Sequence, residues 1–187
     1  MNPVGRSRRA ANATAEIEVI VRAKAWHKAV PAAAALCRRA ATAALAAAGS
    51  ARGRARKRCH AKTLEIAIVL ASDSFIAKLN HAYRGKRGPT NVLSFPSGLD
   101  GCAGEGEEIP LGDIVIALET SRREAKAGGI PLPHHLAHLV VHGVLHLLGY
   151  DHHKDEEAAV MEEMEAAILR ALGIADPYRP QQSARVA

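Results

Sequence analysis

The segment HHLAHLVVHGVLHLLGYDHHKDEE, residues 134–157, holds seven of the ten histidines of this chain. The residues between the histidines are mostly Leu and Val, and the segment predicts an apolar helix from about Pro133 to Leu148. Histidine is the side chain that titrates near neutral pH, and it is the commonest metal ligand in proteins. The concentration of histidines in an apolar helix therefore indicates a binding site.

The spacing of these histidines predicts a metal site. His142 and His146 are four residues apart, so a helix places them on one face about one turn apart. That separation allows two imidazoles to bind one ion. Gly149 stands where a helix ends in a left-handed residue, after which the chain can return His152 to the same ion. The spacing alone leaves His153 as an alternative third ligand.

The chemistry of such a site follows from its ligands. Three neutral nitrogen ligands leave a fourth position open, which is typical of a catalytic zinc site, where bound water becomes a nucleophile near neutral pH. Ligand histidines usually donate their other ring nitrogen to a carboxylate or a carbonyl group. Asp113 and Asp151 are candidates for this support. His138, one turn before His142, either supports a ligand or packs in the core, and packing is the favoured interpretation.

Residues 142–152 also match the three histidines and the glycine of the metzincin protease signature H-E-x-x-H-x-x-G-x-x-H. The glutamate of that signature is the general base in peptide hydrolysis, and position 143 of this chain is Gly. The sequence therefore favours a reaction that needs charge neutralisation more than a carboxylate base, such as phosphodiester cleavage. A metzincin-like metalloprotease is the less favoured alternative.

Arg84, Lys86 and Arg87 stand in the turn-rich segment YRGKRGPTN, residues 83–91. An arginine presents a planar donor fork that suits phosphate oxygens, and beside a metal ion it could stabilise the charge of a transition state. Basic turn residues are also commonly only solvated. From this segment alone, solvation is the favoured interpretation.

Charge is distributed unevenly along the chain. Residues 1–62 contain 14 Lys or Arg against two Glu, a net charge of +12, whereas residues 63–187 contain 11 against 17 acidic residues, a net charge of −6. This asymmetry indicates a polyanionic partner. The most basic part, residues 51–62, is equally compatible with a solvated linker. The three cysteines form no C-x-x-C pair, so neither a disulfide framework nor a cysteine zinc site is indicated.

Hydrophobic periodicity predicts an α+β fold. Alternating or β-branched segments predict four strands, at residues 15–22, 63–71, 92–96 and 112–118. About five helices are predicted. The first helical region ends near Ala48, and Pro31 opens the longer part of it. The others are a helix capped by Asp73, a helix at residues 119–128, the histidine helix, and a last helix capped by Asp155. These elements predict one catalytic domain, residues 15–175, with a mixed four-stranded sheet and a zincin-like metal-binding helix. Flexible tails are predicted at residues 1–14 and 176–187, and a basic linker at residues 49–62.

The ends of the chain and its apolar segments bear on its location. No window contains about 18 consecutive apolar residues, so no membrane span is predicted. The start MNPVGRSRRA has no apolar region after its arginines, so no secretory signal is predicted. The cytoplasm is the expected location.

Several of these motifs together resemble a known family. HGVLHLLGYDH, YRGKRGPTNVLSFP, LGDIVIA and a DPY sequence at Asp176 are similar to the YbeY family of metal-dependent endoribonucleases, the bacterial rRNA maturation factors. The resemblance extends from about residue 15 to residue 178. It implies a single-strand-specific endoribonuclease that acts in 16S rRNA 3′-end maturation and in ribosome quality control. The implied partners are ribosomal RNA and the small ribosomal subunit, with ribosome-associated proteins as further candidates.

The resemblance also assigns residues. It implies one zinc ion per chain, held by His142, His146 and His152, which decides the third ligand against His153. It implies a functional role for Arg84, which reverses the interpretation from the loop alone, and Lys86 and Arg87 are candidate substrate-binding residues beside it. The alternative from the class of binding proteins is a ribosome assembly factor that is stabilised by its metal and binds RNA without cleaving it.

Overall fold

The computed structural model of the chain describes residues 14–50, 63–98, 108–152 and 154–178. These ranges contain four strands and six helices, in the order β1 (Thr14–Val21), α1 (Ala25–Ala29), α2 (Ala33–Ser50), β2 (Thr63–Ala71), α3 (Asp73–Arg84), β3 (Val92–Pro96), β4 (Glu108–Ala117), α4 (Leu118–Ala127), α5 (Leu132–Leu147) and α6 (Asp155–Ala171). The predicted α+β class is confirmed. Most of the predicted tails and linker, residues 1–13, 51–62 and 179–187, lies outside the described residues.

The four strands form one mixed sheet in the order β1-β2-β4-β3. β1 pairs with β2 and β2 pairs with β4 in parallel, whereas β3 pairs with β4 in antiparallel orientation. β3 lies at the edge of the sheet and ends at Pro96, which agrees with the inability of proline to donate a ladder hydrogen bond. The mixed four-stranded sheet is therefore confirmed.

β4 begins four residues earlier than predicted. The predicted strand starts at residue 112, but Ile109 and Leu111 also belong to β4 and are buried, with exposed fractions of 5% and 0%. Pro110 concealed this extension, because proline is a poor strand residue. Within the described ranges, residues 108–110 pair only with β2, so Pro110 occupies an edge position that tolerates it.

The helical region after β1 divides into two helices, which raises the number of helices from about five to six. α1 ends at Ala29 and α2 begins at Ala33. Pro31 lies between them and has no amide hydrogen with which to continue α1. Trp26 of α1 is fully buried, and its indole Nε1 donates a hydrogen bond of 3.0 Å to the carbonyl oxygen of Ala71, which fixes the short helix to the end of β2.

The predicted cap of α3 is wrong, because Ser72 is the N-cap residue and Asp73 is the first helical residue. Asp73 Oδ1 instead accepts a hydrogen bond of 2.9 Å from the backbone amide of Thr120 in α4. In return, Glu119 Oε2 accepts a hydrogen bond of 2.7 Å from the amide of Asp73. Each helix therefore begins on a carboxylate of the other.

α6 shows the same offset of one residue, since Lys154 is its N-cap and the predicted cap, Asp155, is its first residue.

The sheet is covered on both faces. The main core is aliphatic and alanine-rich, and it lies between the sheet and α2, α5 and α6. A smaller core, built on Ile76, Leu93 and Val115, lies under α3 on the other face. No helix in the described ranges is long and apolar enough to span a membrane.

Candidate metal centre

Three histidines meet at the wall of a cleft of about 1160 Å³. His142 and His146 extend from one face of α5, with their Nε2 atoms 3.1 Å apart. Gly149 adopts a φ of 89° after the helix, and the chain then returns His152 to the cluster. The ring centroid of His152 lies 5.6 Å from that of His142 and 5.0 Å from that of His146. One ligand nitrogen from each residue lies within 4.8 Å of the others. His153 lies outside the described residues.

The hydrogen bond to His142 and the lowered pKa of His146 both fit a divalent cation. His142 Nδ1 lies 2.8 Å from Glu165 Oε1, which leaves Nε2 free to face the other histidines. Burial, and then the neighbouring rings of His142 and His152, lower the pKa of His146 to about 4, so this ring is neutral at pH 7. Neutral imidazole nitrogens are preferred ligands of zinc. The donor set therefore fits a zinc ion.

Glu165, which belongs to none of the sequence motifs above, orients His142. It extends from α6 and is fully buried. Its second oxygen, Oε2, lies 2.8 Å from His138 Nε2 and also accepts a hydrogen bond from the Tyr178 hydroxyl group. Burial alone would raise the pKa of Glu165, but hydrogen bonds from His138, His142 and Tyr178 outweigh that effect and lower it to about 2. The ionised carboxylate thus fixes one tautomer and one ring position of His142.

The sequence contains a signal for Glu165. The residue is four positions after Met161 and four before Leu169, and both of these side chains are buried. An acidic residue within the apolar stripe of a helix is unusual unless it has partners. The Glu165 carboxylate also accounts for the position of His138. This residue is half-buried and packed, and it bonds to Glu165 as well. Burial and the Glu165 carboxylate raise the pKa of Tyr178, which keeps its hydroxyl group protonated as a donor.

The two aspartates proposed as supports occupy different positions in the cleft. Asp113 is exposed on β4 and lines the cleft. Asp151 also lines the cleft, and its Oδ1 accepts a hydrogen bond of 2.8 Å from the backbone amide of His152. Asp151 therefore stabilises the turn that presents the third histidine.

Arg84 lies at the end of α3 and lines the same cleft as the histidines. Gly85 follows it with a φ of 65°, which ends the helix in the left-handed conformation. Lys86 and Arg87 are exposed, and neither is among the described residues that line the cleft. Of the three basic residues proposed for phosphate binding, the structure brings only Arg84 to the cleft.

Asn91 fixes the base of the loop that follows Arg84. Its Nδ2 donates a hydrogen bond of 3.0 Å to Glu124 Oε2, and its Oδ1 accepts one of 2.7 Å from the amide of Val92. Glu124 Oε2 also lies 2.9 Å from Nε2 of His135, a buried residue. The side chain of Asn91 is therefore held on both sides at the wall of the cleft.

Gly143 faces the sheet instead of the cleft. A Cβ atom at this position would lie 2.8 Å from Cγ2 and 3.0 Å from Cδ1 of Ile114 in β4. A glutamate would fit there only if the Ile114 side chain or α5 itself moved. The helix therefore packs closely on β4 at the position where a metzincin carries its general base.

The chain is similar in sequence to a family of known proteins. The family model described as Endoribonuclease YbeY matches residues 33–173. A Paramagnetospirillum magneticum protein named endoribonuclease YbeY is 48% identical over 170 residues, which cover 90% of this chain and 98% of that protein. A Rhodopseudomonas palustris protein of the same name is 54% identical over 117 residues, which cover 63% of this chain and 62% of that protein.

A solved structure shares the fold. The solution structure of TM1509 from Thermotoga maritima matches 83% of this chain and 87% of its own chain, with a TM-score of 0.52 and 21% sequence identity. At this identity the likeness concerns the fold alone.

Proposed function

Because the chain belongs to the YbeY family of endoribonucleases, we propose that it is a metal-dependent endoribonuclease that cleaves single-stranded RNA. The observation that carries this proposal is that three convergent histidines and Arg84 line one cleft. A cation site beside a guanidinium group is suited to a phosphodiester, whose charge increases in the transition state.

His142, His146 and His152 would hold one zinc ion. When bound, such an ion supplies a Lewis acid that activates water and polarises a phosphoryl oxygen. Glu165 keeps Nδ1 of His142 occupied, so that Nε2 is the nitrogen available to the cation.

Arg84 would bind the scissile phosphate. Its guanidinium group offers a planar pair of donors to two phosphate oxygens. Because Arg84 is exposed at the cleft, this charge is available to a substrate. The same contacts would strengthen as negative charge develops on those oxygens, which is how such a group accelerates the reaction.

Peptide hydrolysis is not supported by these residues. Position 143 carries no carboxylate, and a side chain there would point at Ile114 across a close contact instead of into the cleft. A metalloprotease of the metzincin type would therefore lack its general base.

The cellular substrate that we propose is ribosomal RNA in the cytoplasm, with the 3′ end of 16S rRNA on the small ribosomal subunit as the site of action. Membership of the family supports this proposal. The net charge of +12 in residues 1–62 supports it too, because Lys and Arg attract RNA independently of its sequence. The same charge is the observation in favour of the second candidate function, an assembly factor that binds RNA without cleaving it.

The test compares cleavage of end-labelled single-stranded RNA and of casein by the wild type and by a His146→Ala variant. The metal content of each protein is measured beforehand. His27→Ala is the matched control, since His27 is exposed on α1 outside the cleft. We expect the wild type and His27→Ala to cleave RNA and not casein, and His146→Ala to cleave neither. RNA cleavage by His146→Ala would overturn the proposal. RNA binding by the wild type without cleavage would support the assembly factor instead.

A further inference from the structure

The cleft contains most of the aromatic side chains of the protein. The whole chain has six aromatic residues, one Trp, three Tyr and two Phe. Four of them line the cleft that holds the histidines, namely Phe75, Tyr83, Phe95 and Tyr150. Phe75 and Phe95 pack against the smaller core and Tyr150 packs against the main core, so packing accounts for three of the four and leaves Tyr83.

Tyr83 is the most exposed large hydrophobic side chain in the part of the chain that the structure describes, with an exposed fraction of 70%. It follows Phe75 and Leu79 at intervals of four residues along α3, and these two pack against the smaller core. The apolar stripe of α3 therefore continues beyond the core and ends in a ring that faces solvent. Burial in the core does not account for this last position.

Phe95 holds the ring of Tyr83 in place. The two ring centroids are 5.1 Å apart and the ring planes meet at 67°, which is an edge-to-face contact. This contact occupies one side of the Tyr83 ring and leaves the ring largely exposed at the cleft. A preoriented and exposed aromatic ring is a stacking surface for another flat ring.

The neighbouring residue identifies the chemistry of the occupant. Arg84 directly follows Tyr83 and lines the same cleft. A cation that binds a phosphate beside a ring that stacks on a base matches the repeating unit of a nucleic-acid strand. A peptide would offer no phosphate to the arginine, so the pair of residues favours a nucleotide.

We propose that Tyr83, supported by Phe95, is a stacking subsite for one unpaired nucleobase adjacent to the phosphate that Arg84 binds. The inference rests on the proposed function and adds a residue that reads the unpaired state of the RNA. A base within a duplex is already stacked and cannot cover Tyr83 without leaving its partner. The subsite therefore gives a physical reason for a preference for single strands.

The test measures the affinity of the zinc-loaded full chain for a short, fluorescein-labelled single-stranded RNA by stopped-flow anisotropy, which records binding before cleavage. A gel confirms that the RNA is intact at the end of each trace. Tyr83→Phe keeps the aromatic ring, whereas Tyr83→Leu keeps apolar volume without it. Since stacking of one base on an aromatic ring is lost only in the second variant, we expect Tyr83→Phe to bind like the wild type and Tyr83→Leu to bind roughly 5- to 100-fold more weakly.

A second measurement identifies the base. A series of RNAs carries one abasic nucleotide at successive positions. For the wild type, we expect one position at which loss of the base weakens binding, and for Tyr83→Leu we expect the same loss to have no further effect, as in a double-mutant cycle. Val160→Ala is the control for general loss of apolar surface, because Val160 is 53% exposed on α6 and is not among the residues that line the cleft.

The outcomes separate this inference from the proposed function. Equal affinities of the wild type and Tyr83→Leu, or an equal loss in Val160→Ala, would overturn the stacking subsite while the endoribonuclease stands. A wild-type protein that neither binds nor cleaves single-stranded RNA would overturn the proposed function and the subsite together. Melting curves of the variants verify that each is folded, and the high exposure of Tyr83 predicts that they are.

Discussion

A single buried carboxylate determines how the histidine cluster presents its nitrogens. Glu165 bonds to His142 through one oxygen and to His138 and Tyr178 through the other. An imidazole that is held in this way loses little freedom when it binds a metal ion, and its free nitrogen is more basic. The metal affinity of the cluster therefore depends on a residue that would not touch the metal.

The first prediction concerns this carboxylate. Glu165→Gln should lower the affinity for zinc about 10- to 100-fold, because the amide holds the His142 ring less strongly than the ionised carboxylate does. Competition with a chromogenic chelator measures the affinity directly. Glu163→Gln, an exposed change on the same helix, is the control and should leave the affinity unchanged. Equal zinc affinities of Glu165→Gln and the wild type would contradict this role.

The second prediction concerns the close contact between α5 and β4. Gly143→Ala should destabilise the protein by about 1–3 kcal/mol, because the new methyl group would meet Ile114 at 2.8 Å. Urea unfolding measures the free-energy change. In the double variant with Ile114→Ala, the total loss should be smaller than the sum of the single losses, since the second change removes the obstructing atoms. Additive losses would show that the contact is not the cause.

Side-chain contacts between neighbouring helices hold the two walls of the cleft in place. α3 carries Arg84, and its first turn is tied to α4 through Asp73 and Glu119. α5 carries two of the histidines, and α6 provides the carboxylate behind them. The two walls of the cleft are thus each braced by a neighbouring helix.

The third prediction tests the brace between α3 and α4. Asp73→Ala should destabilise the protein by about 1 kcal/mol, because the amide of Thr120 loses its acceptor. Asp73→Asn keeps an oxygen at Oδ1 and should cost less. The Asp73–Arg123 ion pair contributes little, since the arginine side chain is 63% exposed. Urea unfolding of the variants gives the free energies of unfolding. Equal stability of Asp73→Ala and the wild type would refute the role of Asp73 in capping α4.

Local patterns made part of this architecture predictable. The i, i+4 spacing of His142 and His146 and the left-handed Gly149 are properties of consecutive residues, and the structure places all three as expected. β2 and β3 have the predicted bounds. Each is a short apolar or alternating segment that turn residues flank, and this pattern can be read from consecutive residues. Glu165 and the exchanged caps of α3 and α4 were not predicted, because their partners lie between 13 and 47 residues away and spacing says nothing about such pairs.

The molecule as a whole combines this braced cleft with an uneven charge. The basic residues lie mostly before residue 63, whereas the acidic residues lie mostly after it. The His146 ring, whose pKa is lowered, and the basic residues before position 63 depend on different solution conditions. Salt weakens the attraction between the basic residues and RNA, and acid protonates His146.

The fourth prediction is a dependence of stability on pH in the metal-free protein. The pKa of His146 is lowered from its ordinary value of 6.5 to about 4 in the folded state, chiefly by burial. Between these values the unfolded chain binds a proton that the folded chain does not, so the free energy of unfolding should fall as the pH falls from 6.5 to 4. Urea unfolding at several pH values tests this, with His146→Gln as the comparison. An identical slope in both proteins would contradict the assignment.

Whether the three histidines hold the catalytic ion is tested by the rate of single-stranded RNA cleavage while zinc is added back to the metal-free protein. If His142, His146 and His152 hold the catalytic ion, the metal-free protein should be inactive. The rate should then rise with added zinc and level off at about one equivalent per chain. Full cleavage by the metal-free protein, or a rate that does not respond to zinc at any ratio, would contradict the account.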